Sequence, residues 1–551
     1  MKKNKNKIDM SSSKKNKSLP KFPYPPIVPA QDGKHAEEER RKLINSKAPR
    51  TIDGEDEKNE IVSINIQKNI DFMRKVLNGD DTVKMRYFQS KGENPIKCAA
   101  FFINGMSNDD RIAMNFIRPI MESNESTGPN LEEKIKSQII YGSDFGTDNK
   151  MNAVITALLQ GSSVIFIEGC TNALIADTKG YETRSITEPE NEKNLRGPRE
   201  GFTEDIMKNL SLIRRRTITS DLKIKFFNLG KMTNTRVCIC YLDSIIDKAV
   251  LETLCERLEK IDIDGILDAN YIEELISDNP HSTFKTVGSS ERPDVTVANM
   301  LEGRIALLVD GTSMVITVPY LFIENFQAAD DYYLNFSYSS IMRFLRIFSF
   351  LLTVTLPGLY VALLTFHSKM VPTDLVISIV SAREGVPFPV IIECLGLLLV
   401  FEILRETGVR VPSSIIGQPL SIVGALVLGD AAIRAKYVSA PMVIIVAMTC
   451  LMGLMIQNLK SSSIFYRLFI LICSSILGIY GLLFAVMIMI FHLLSIKSFG
   501  VNYLNVDWFS SPQEKKDILS RGRWWTMLQR PRVLTKNATR QKPTEAGKTN
   551  E

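Results

Sequence analysis

Histidine is nearly absent from this chain. His35, His281, His367 and His492 are the only four in 551 residues, and no two stand at the helical spacing that binds a metal. The eight cysteines, Cys98, Cys170, Cys238, Cys240, Cys255, Cys394, Cys450 and Cys473, also lack paired metal-type spacing and read as reduced apolar residues. Cys238-x-Cys240 alternates with apolar neighbours, as in a strand that packs every second residue to one face. Met1 to Ala30 contains no apolar core of the length a secretory signal needs, which predicts that the N-terminal part stays on the cytoplasmic side. There is no Lys-Ser/Thr P-loop, no GxGxxG after a strand and no nucleophile-base constellation. Neither an enzyme nor a cofactor is expected.

Charge is missing in a more telling way. Ile347 to Phe366 has none, and from Val438 to Leu494 only Lys460 and Arg467 interrupt the apolar run. A mean hydropathy of +0.01 and 23% charged residues describe an ordinary soluble chain only because two solvents are averaged. Water is implied for roughly the first 335 residues and lipid for most of the next 160.

Both tails are basic. The first fifty residues hold fourteen Lys or Arg against five Asp or Glu, with a cluster of prolines at Pro20, Pro23, Pro25, Pro26 and Pro29. Residues 1–60 are therefore expected to be disordered, either solubilising or drawn to anionic lipids. Residues 495–551 hold eleven basic and five acidic residues and all three tryptophans, Trp508, Trp524 and Trp525. Tryptophan beside Lys and Arg suits a lipid interface, so this tail is expected to lie against the cytoplasmic leaflet.

The water-facing part repeats itself. Leu159-Gln-Gly-Ser-Ser-Val-Ile-Phe-Ile-Glu168-Gly169 returns as Leu301-Glu-Gly-Arg-Ile-Ala-Leu-Leu-Val-Asp310-Gly311, with an offset of 142 residues at every position. Each reads as a strand, an acidic-Gly turn and a second strand. A matching strand precedes each, Cys98 to Ile103 and Val237 to Leu242, followed by helix-period stretches at Asp110 to Met121 and Asp247 to Leu258. Two similar α/β subdomains, 61–210 and 211–340, explain the order. Glu168 and Asp310 read as turn residues rather than a catalytic pair. The consecutive Arg214, Arg215 and Arg216 read as a solvated or subunit-facing patch, without the aromatic interleaving of a nucleic-acid site.

In the apolar part, 341–494, Ile347 to Phe366 is long enough to span a bilayer, and Arg343 and Arg346 set its start on the cytoplasmic side. Val371 to Pro389 is too polar to cross and suits an interfacial elbow. Phe388 to Leu404 returns, Ile415 to Leu428 reads as re-entrant or broken, and Val438 to Ile456 and Leu468 to Leu494 read as spans. Four spans keep both basic tails inside, whereas five would put one outside. Charges in lipid need a reason. Glu402 has Arg405 at i+3, and Asp430 has Arg434 at i+4, so both read as local pairs. Glu393, mid-segment, either faces a lumen or subunit interface or makes a buried hydrogen bond to a neighbouring helix. Nine residues from Glu402, it points to the opposite helical face. Gln418 and Ser421 share a face and are pore or interface candidates, beside Gly417, Gly424 and Gly429.

Six motifs in order resemble the A subunit of the GerA-type spore germinant receptors, over about Ile61 to Pro531. They are Arg196-Gly-Pro-Arg199-Glu200-Gly-Phe-Thr203, Glu291-Arg292-Pro-Asp294 leading to Asn299 through Asp310-Gly311, Arg383 to Pro389, Phe401 to Glu406, Ile422 to Gly429, and Val438 to Ile444. The chain departs from the family at Asp430, where an uncharged residue or Gln is frequent, and in its Lys-rich N-terminal extension. The resemblance implies an α/β duplicated cytoplasmic domain followed by a multi-pass helical domain, in a receptor of the spore inner membrane. It implies a nutrient-binding polytopic B subunit and a lipoprotein C subunit as partners, and oligomers of A subunits forming a nutrient-gated cation channel. The alternatives are a non-conducting signalling scaffold for the B and C subunits and the stage V sporulation paralogue.

Overall fold

The computed structural model describes residues 60–92, 94–124, 131–140, 145–180, 189, 192, 194, 196–410, 424, 427–504, 517–518, 520–535, 537 and 539–540. The basic N-terminal tail up to residue 59, Gln418, Ser421 and Trp508 lie outside them.

The first α/β half runs α1 (Ile66–Val76), β1 (Val83–Gln89), β2 (Lys97–Ile103), two helical segments at 109–122 and 131–139, each with a π turn, β3 (Phe145–Asp148), α2 (Met151–Leu159), β4 (Ser163–Ile167) and β5 (Ala173–Ala176). The second runs α3 (Ile206–Arg216), β6 (Leu222–Leu229), β7 (Thr235–Leu242), α4 (Lys248–Glu259), α5 (Ala269–Ile276), β8 (Gly288–Ser290), α6 (Pro293–Leu301), β9 (Ile305–Val309) and β10 (Val315–Val318). The two antiparallel sheets have the same strand order, β1-β2-β4-β5-β3 and β6-β7-β9-β10-β8. Their register matches as well: Val83 lies opposite Ile103 as Leu222 lies opposite Leu242, and Ser163 opposite Ala176 as Ile305 opposite Val318.

Every residue of β4 and β9 is buried because helices cover both faces of each sheet. Ala99, Phe101, Val164 and Phe166 face α1 and α2, while Cys98, Ala100, Ile165 and Ile167 face the segments at 109–122 and 131–139. In the second half Cys238, Cys240, Ala306 and Leu308 face α3 and α6, and Val237, Ile239, Leu307 and Val309 face α4 and α5. The alternation is that of a strand, and it is in phase between the copies.

The duplication extends further upstream than the strand, helix and hairpin order. Each copy opens on a helix with the same polar frame. Ser63 N and Thr203 N donate to Asn69 Oδ1 and Asn209 Oδ1, both at 2.8 Å, and each Asn returns a bond to the same residue's carbonyl. Glu168 and Asp310 accept from the first helical amides, Ile66 N at 3.0 Å and Ile206 N at 3.2 Å. Both carboxylates thus fix a helix N-terminus beyond their turn, whose glycines, Gly169 and Gly311, have φ of 88° and 89°. Helix α3 crosses residue 210, where the sequence reading divides the subdomains, and packs on the second sheet.

Arg214 corrects the reading of its arginine run as a solvated or subunit-facing patch. It is 1% exposed and reaches back to the first half, with Nη2 2.6 Å from Asp80 Oδ2 and 3.0 Å from Thr82 Oγ1. Asp81 N donates to Ile224 O at 2.9 Å alongside it. The two copies are joined there by a buried ion pair.

The helical half consists of α7 (Phe336–Thr365), α8 (Thr373–Ala382), α9 (Val390–Arg410), α10 (Ala440–Gly453), α11 (Lys460–Leu477) and α12 (Ile479–Ser495). Two stretches, Phe336–Thr365 and Gln457–Leu477, are long and apolar enough to cross a membrane; α8, α10 and α12 are shorter apolar helices. The expected single span from Leu468 to Leu494 is overturned. Gly478 breaks it with φ 62° and ψ −139°, and α11 and α12 fold back on each other as a hairpin. A straight helix of that length would reach roughly 40 Å, well beyond a core of about 30 Å.

The contacts orient these helices. A Cβ on Gly478 would stand 2.8 Å from His367 Cε1, so the hairpin tip meets the far end of α7. At the other end Ser462 Oγ donates to Thr283 O at 2.5 Å and His492 Nε2 lies 3.0 Å from Ser282 Oγ, so α11 starts and α12 finishes against the α/β domain. Gly358 admits the close approach of α7 and α11, since a Cβ there would be 2.8 Å from Ser474 Oγ.

After α12, the hairpin of β11 (Lys497–Ser498) and β12 (Val501–Asn502) leads into a strap. The described part of the C-terminal tail threads over the second α/β half. Arg530 Nε donates to Leu301 O at 2.7 Å, Thr535 Oγ1 donates to Ile245 O, and Asn537 Nδ2 donates to Ser244 O at 3.3 Å. A tail expected against lipid spends these polar groups on its own protein.

Candidate functional site: a charged joint between the sheets and the apolar helices

Three ionic clusters lie where the second α/β half meets the helices. The first joins two motifs about ninety residues apart in sequence. Pro293 begins α6, where its missing N–H is no loss, and places Arg292 just before the helix. Arg292, 2% exposed, grips Asp294 with Nε–Oδ1 of 3.1 Å and Nη2–Oδ2 of 2.6 Å, and donates to Pro198 O at 3.2 Å. Phe202 N donates to Glu291 O at 2.8 Å, and Tyr333 Oη to Asp294 Oδ2 at 2.5 Å. Gly197 has φ 122°, and a Cβ on it would stand 2.7 Å from the Tyr333 ring. Glu200 pairs with Arg216 at 2.5 Å; Arg199 is exposed on the same loop. The loop of the Arg196–Thr203 motif, with its glycines and arginines, is a structural clasp around Arg292.

The second cluster anchors α7. Arg343 is fully buried, its Nε 3.3 Å from Asp331 Oδ2 and its Nη1 3.0 Å from Asp517 Oδ1. Arg346 forks onto Asp331 at 2.5 and 2.9 Å and donates to Phe326 O. Tyr332 Oη donates to Asp517 Oδ2 at 2.9 Å. Burial pushes the Asp517 carboxyl up to about 6, against the pull of Arg343. Arg343 and Arg346, read from sequence as orientation charges, are internal ion-pair partners.

In the third cluster Arg304, at the start of β9, bridges Glu302 at 2.8 Å and Glu324 at 3.0 Å, and Arg540 of the strap reaches Glu302 at 3.0 Å. Burial raises both carboxyls, but Arg304 and Arg540 outweigh it at Glu302, which is held below the ordinary range, whereas Glu324 stays above it. Gly303 lets the strap in: a Cβ there would be 2.9 Å from Leu534 O. Asp310 and Gly311 stand apart from this joint, serving α3 as described.

Within the helices, Glu393 is 2% exposed. Its Oε1 accepts from Ser439 N at 2.6 Å and Ser439 Oγ at 2.5 Å, at the start of α10, and Arg383 lies 3.5 Å from Oε2. Glu402 pairs with Arg405 and, at 2.6 Å, with Arg467 of α11. The two glutamates face different helices. Asp430 and Arg434 form an exposed pair at 2.9 Å. The sequence reading missed Arg467 as a partner, although a lone arginine in an apolar run asks for a counter-charge. It also missed Asp80, Asp331, Tyr333 and Asp517, whose partners Arg214, Arg343 and Asp294 lie from 12 to 174 residues away, and Arg304, which pairs with both Glu302 beside it and Glu324. Among the described residues no three His, Cys, Asp or Glu are grouped to hold a metal. The joint is chemically a set of buried, directional ion pairs suited to holding two bodies in one geometry.

Comparison with known proteins bears on what that geometry serves. The chain is 38% identical to spore germination protein KA of Bacillus subtilis (strain 168) over 88% of its own length and 89% of that protein's. It is 37% identical to the uncharacterized membrane protein YfkQ of the same organism, over 87% and 93%. The crystallised N-terminal domain of the A subunit of the Bacillus megaterium spore germinant receptor GerK3 is 27% identical, with a TM-score of 0.39, covering 48% of this chain and 98% of that one. The family model described as Bacillus/Clostridium GerA spore germination protein matches residues 71–533, taking in both sheets, the apolar helices and the strap as far as residue 533, and the chain belongs to that family.

Proposed function

We propose that the chain is the membrane-embedded A subunit of a nutrient germinant receptor, sited in the spore inner membrane with its α/β domain on the cytoplasmic side. It works with a polytopic, nutrient-binding B subunit and a lipoprotein C subunit, and A subunits oligomerise around a nutrient-gated cation pathway. The observation that carries this reading is the joint. Ion pairs tie α7 to Asp331 in the short turn that precedes it, Tyr333 of the same turn bonds to Asp294 of α6, and polar contacts at Ser282 and Thr283 tie the second α/β half to the near ends of α11 and α12. A rearrangement of the helices is transmitted to the sheets, and the reverse, without a loose linker between them. Helices α7, α10, α11 and α12 turn apolar side chains outward, among them Phe344, Phe348, Leu351, Ile444, Phe465, Leu468, Ile476, Phe484 and Phe491, as lipid contact requires. With α7 leaving the domain and the α11–α12 hairpin returning to it, the strap emerges on the domain's side.

Glu402 and Arg467 are paired within one chain, whereas Glu393 Oε2 is buried with no hydrogen-bond partner and has only Arg383 at 3.5 Å, so Glu393 stands with Gln418 and Ser421 as a polar candidate for a water-filled path or subunit interface in an oligomer. The pairing of Glu402 with Arg467 inside one chain favours a second reading, a non-conducting scaffold that docks the B and C subunits. Cation flux through liposomes carrying the three purified subunits, with and without nutrient, separates the two. Nutrient-dependent flux supports the channel, and flux absent from a complex that still binds nutrient removes it. Cysteine accessibility across Ile415 to Ile456 then identifies the water-facing side.

A further inference from the structure

We infer that Trp524, Trp525 and Arg523 form a collar that binds anionic phospholipid headgroups at the foot of α7. This rests on the reading of α7 as a membrane helix. The 3₁₀ turn Trp524–Thr526 holds two indoles that remain 50% and 46% exposed in a chain that has three tryptophans in all. Exposure of two adjacent indoles is unusual, because each carries a large apolar area and a single polar N–H. An indole's natural solvent is the boundary where its ring meets acyl chains and its N–H meets headgroups.

The turn is held at the right level for that. Arg521 N donates to Ser340 Oγ at 3.1 Å, and the Arg521 guanidinium donates to Leu334 O and Tyr332 O, both at 3.3 Å. This stitches the segment to the second turn of α7 at Ser340 and to the residues just before the helix at Tyr332 and Leu334. The outward face of α7 then continues through Tyr338, Ile341, Phe344 and Phe348, all exposed. The collar therefore sits where the apolar surface begins.

Arg523 gives the collar its charge preference. Its guanidinium lies over Phe336 at 4.6 Å and Trp525 at 5.6 Å, and it is exposed. Among the described residues no carboxylate pairs with it. Stacking uses the faces of the guanidinium and leaves its N–H edges free for the oxygens of a phosphate. A bound water layer gives no reason for an arginine beside two aromatic rings with no carboxylate partner among the described residues, whereas a phosphodiester supplies both the counter-charge and the depth.

The test uses the full chain with Trp508→Phe, reconstituted in phosphatidylcholine vesicles that contain brominated phosphatidylcholine or brominated phosphatidylglycerol. Indole emission should be quenched by both lipids, with an apparent preference of roughly five-fold for the anionic one, as expected for one arginine near such a surface. Arg523→Gln should abolish the preference and Arg523→Lys should keep it. Quenching by aqueous iodide in place of lipid, shielding from both, or equal quenching by the two lipids would each overturn the collar. A Phe348→Trp probe in a chain lacking the other tryptophans reports separately whether α7 is in lipid at all. Selective quenching in a chain without germinant response would sink the receptor reading and leave the collar standing.

Discussion

Replacing Asp80 by alanine strands the Arg214 guanidinium between the two α/β copies. Both side chains are 2% exposed, their charged atoms are 2.6 Å apart, and the Thr82 hydroxyl donates to Asp80 Oδ1 at 2.6 Å while accepting from Arg214 at 3.0 Å. Arg214 Nη1 already lacks a hydrogen-bond partner, so no second acceptor stands ready to replace the lost carboxylate. Removing one member of such a pair costs about 3–5 kcal/mol, because a charge is left buried and uncompensated. For a domain of this size each kcal/mol moves Tm by about 2–4 °C, so Asp80→Ala should lower the α/β transition by roughly 10 °C. The double variant Asp80→Leu with Arg214→Met removes both charges and should recover most of that loss, which a double-mutant cycle reads as a coupling above about 2 kcal/mol. Calorimetry of the purified full chain measures the transition, and hydrogen exchange at Asp81 and Phe226, whose amides bond across the copies, localises it. Additive single variants each costing under about 1 kcal/mol would refute the claim that this pair joins the subdomains.

Gly478→Ala should destabilise the α11–α12 hairpin, because φ 62° with ψ −139° is open only to glycine and the new Cβ would strike His367; unchanged protease resistance in bilayers would count against the turn. Glu402→Gln should weaken the packing of α9 on α11 by about 3 kcal/mol through the unpaired Arg467, while Glu402→Leu with Arg467→Leu should be close to neutral, as read by thermal unfolding in detergent. Asp517 binds its proton more tightly in the docked strap, near 6, than in a free chain, near 4. Docking of the strap is therefore favoured as pH falls from about 7 towards 4 and loses that contribution as pH rises through about 6; hydrogen exchange over 520–540, corrected for intrinsic rates, should slow at pH 5 relative to pH 8, and faster exchange at pH 5 would contradict the sign. Glu302→Gln with Arg304→Ser should raise exchange over 530–540 while leaving β9 protected, and an unchanged strap would show that its hold lies elsewhere.

What was legible in the sequence was local or periodic. The acidic-Gly turns after β4 and β9, the strands that precede them and the α4 start at Asp247 all follow from short-range chemistry. Glu402 with Arg405 is an i+3 pair and can be read directly. Arg467, 65 residues from Glu402, cannot, because nothing in its neighbourhood says which helix it will meet. Arg214 fails for the same reason: three successive arginines look solvated until a partner 134 residues away is folded beside one of them. The Leu468–Leu494 run hid a reversal because hydropathy carries no direction, and a glycine between Leu477 and Ile479 leaves an apolar window apolar. The strap was hidden by its net charge, which is equally satisfied by lipid phosphates and by the carbonyls of the strap's own protein.

The duplication supplies an internal control that separates scaffold from joint. The Asn69 and Asn209 frames, Glu168 and Asp310, and the positive-φ glycines Gly161 and Gly303 occur in both copies, so they belong to what any such sheet needs to close. At the positions of Glu302 and Arg304, the first copy has Gln160 and Ser162. Its Gly161 sits against Met106 and Lys179 of its own half, whereas Gly303 admits the backbone of Leu534. The backbone at this turn is the same, and the chemistry diverges only where strap and helices dock. A buried ion pair is weak evidence for stability, since apolar packing of the same volume does as well or better. Its concentration in one of two otherwise equivalent copies therefore calls for a reason other than holding the sheet together. Directional pairs that fix how the sheets sit on α7 and the strap are such a reason, and the first copy, which lacks that duty, lacks those charges.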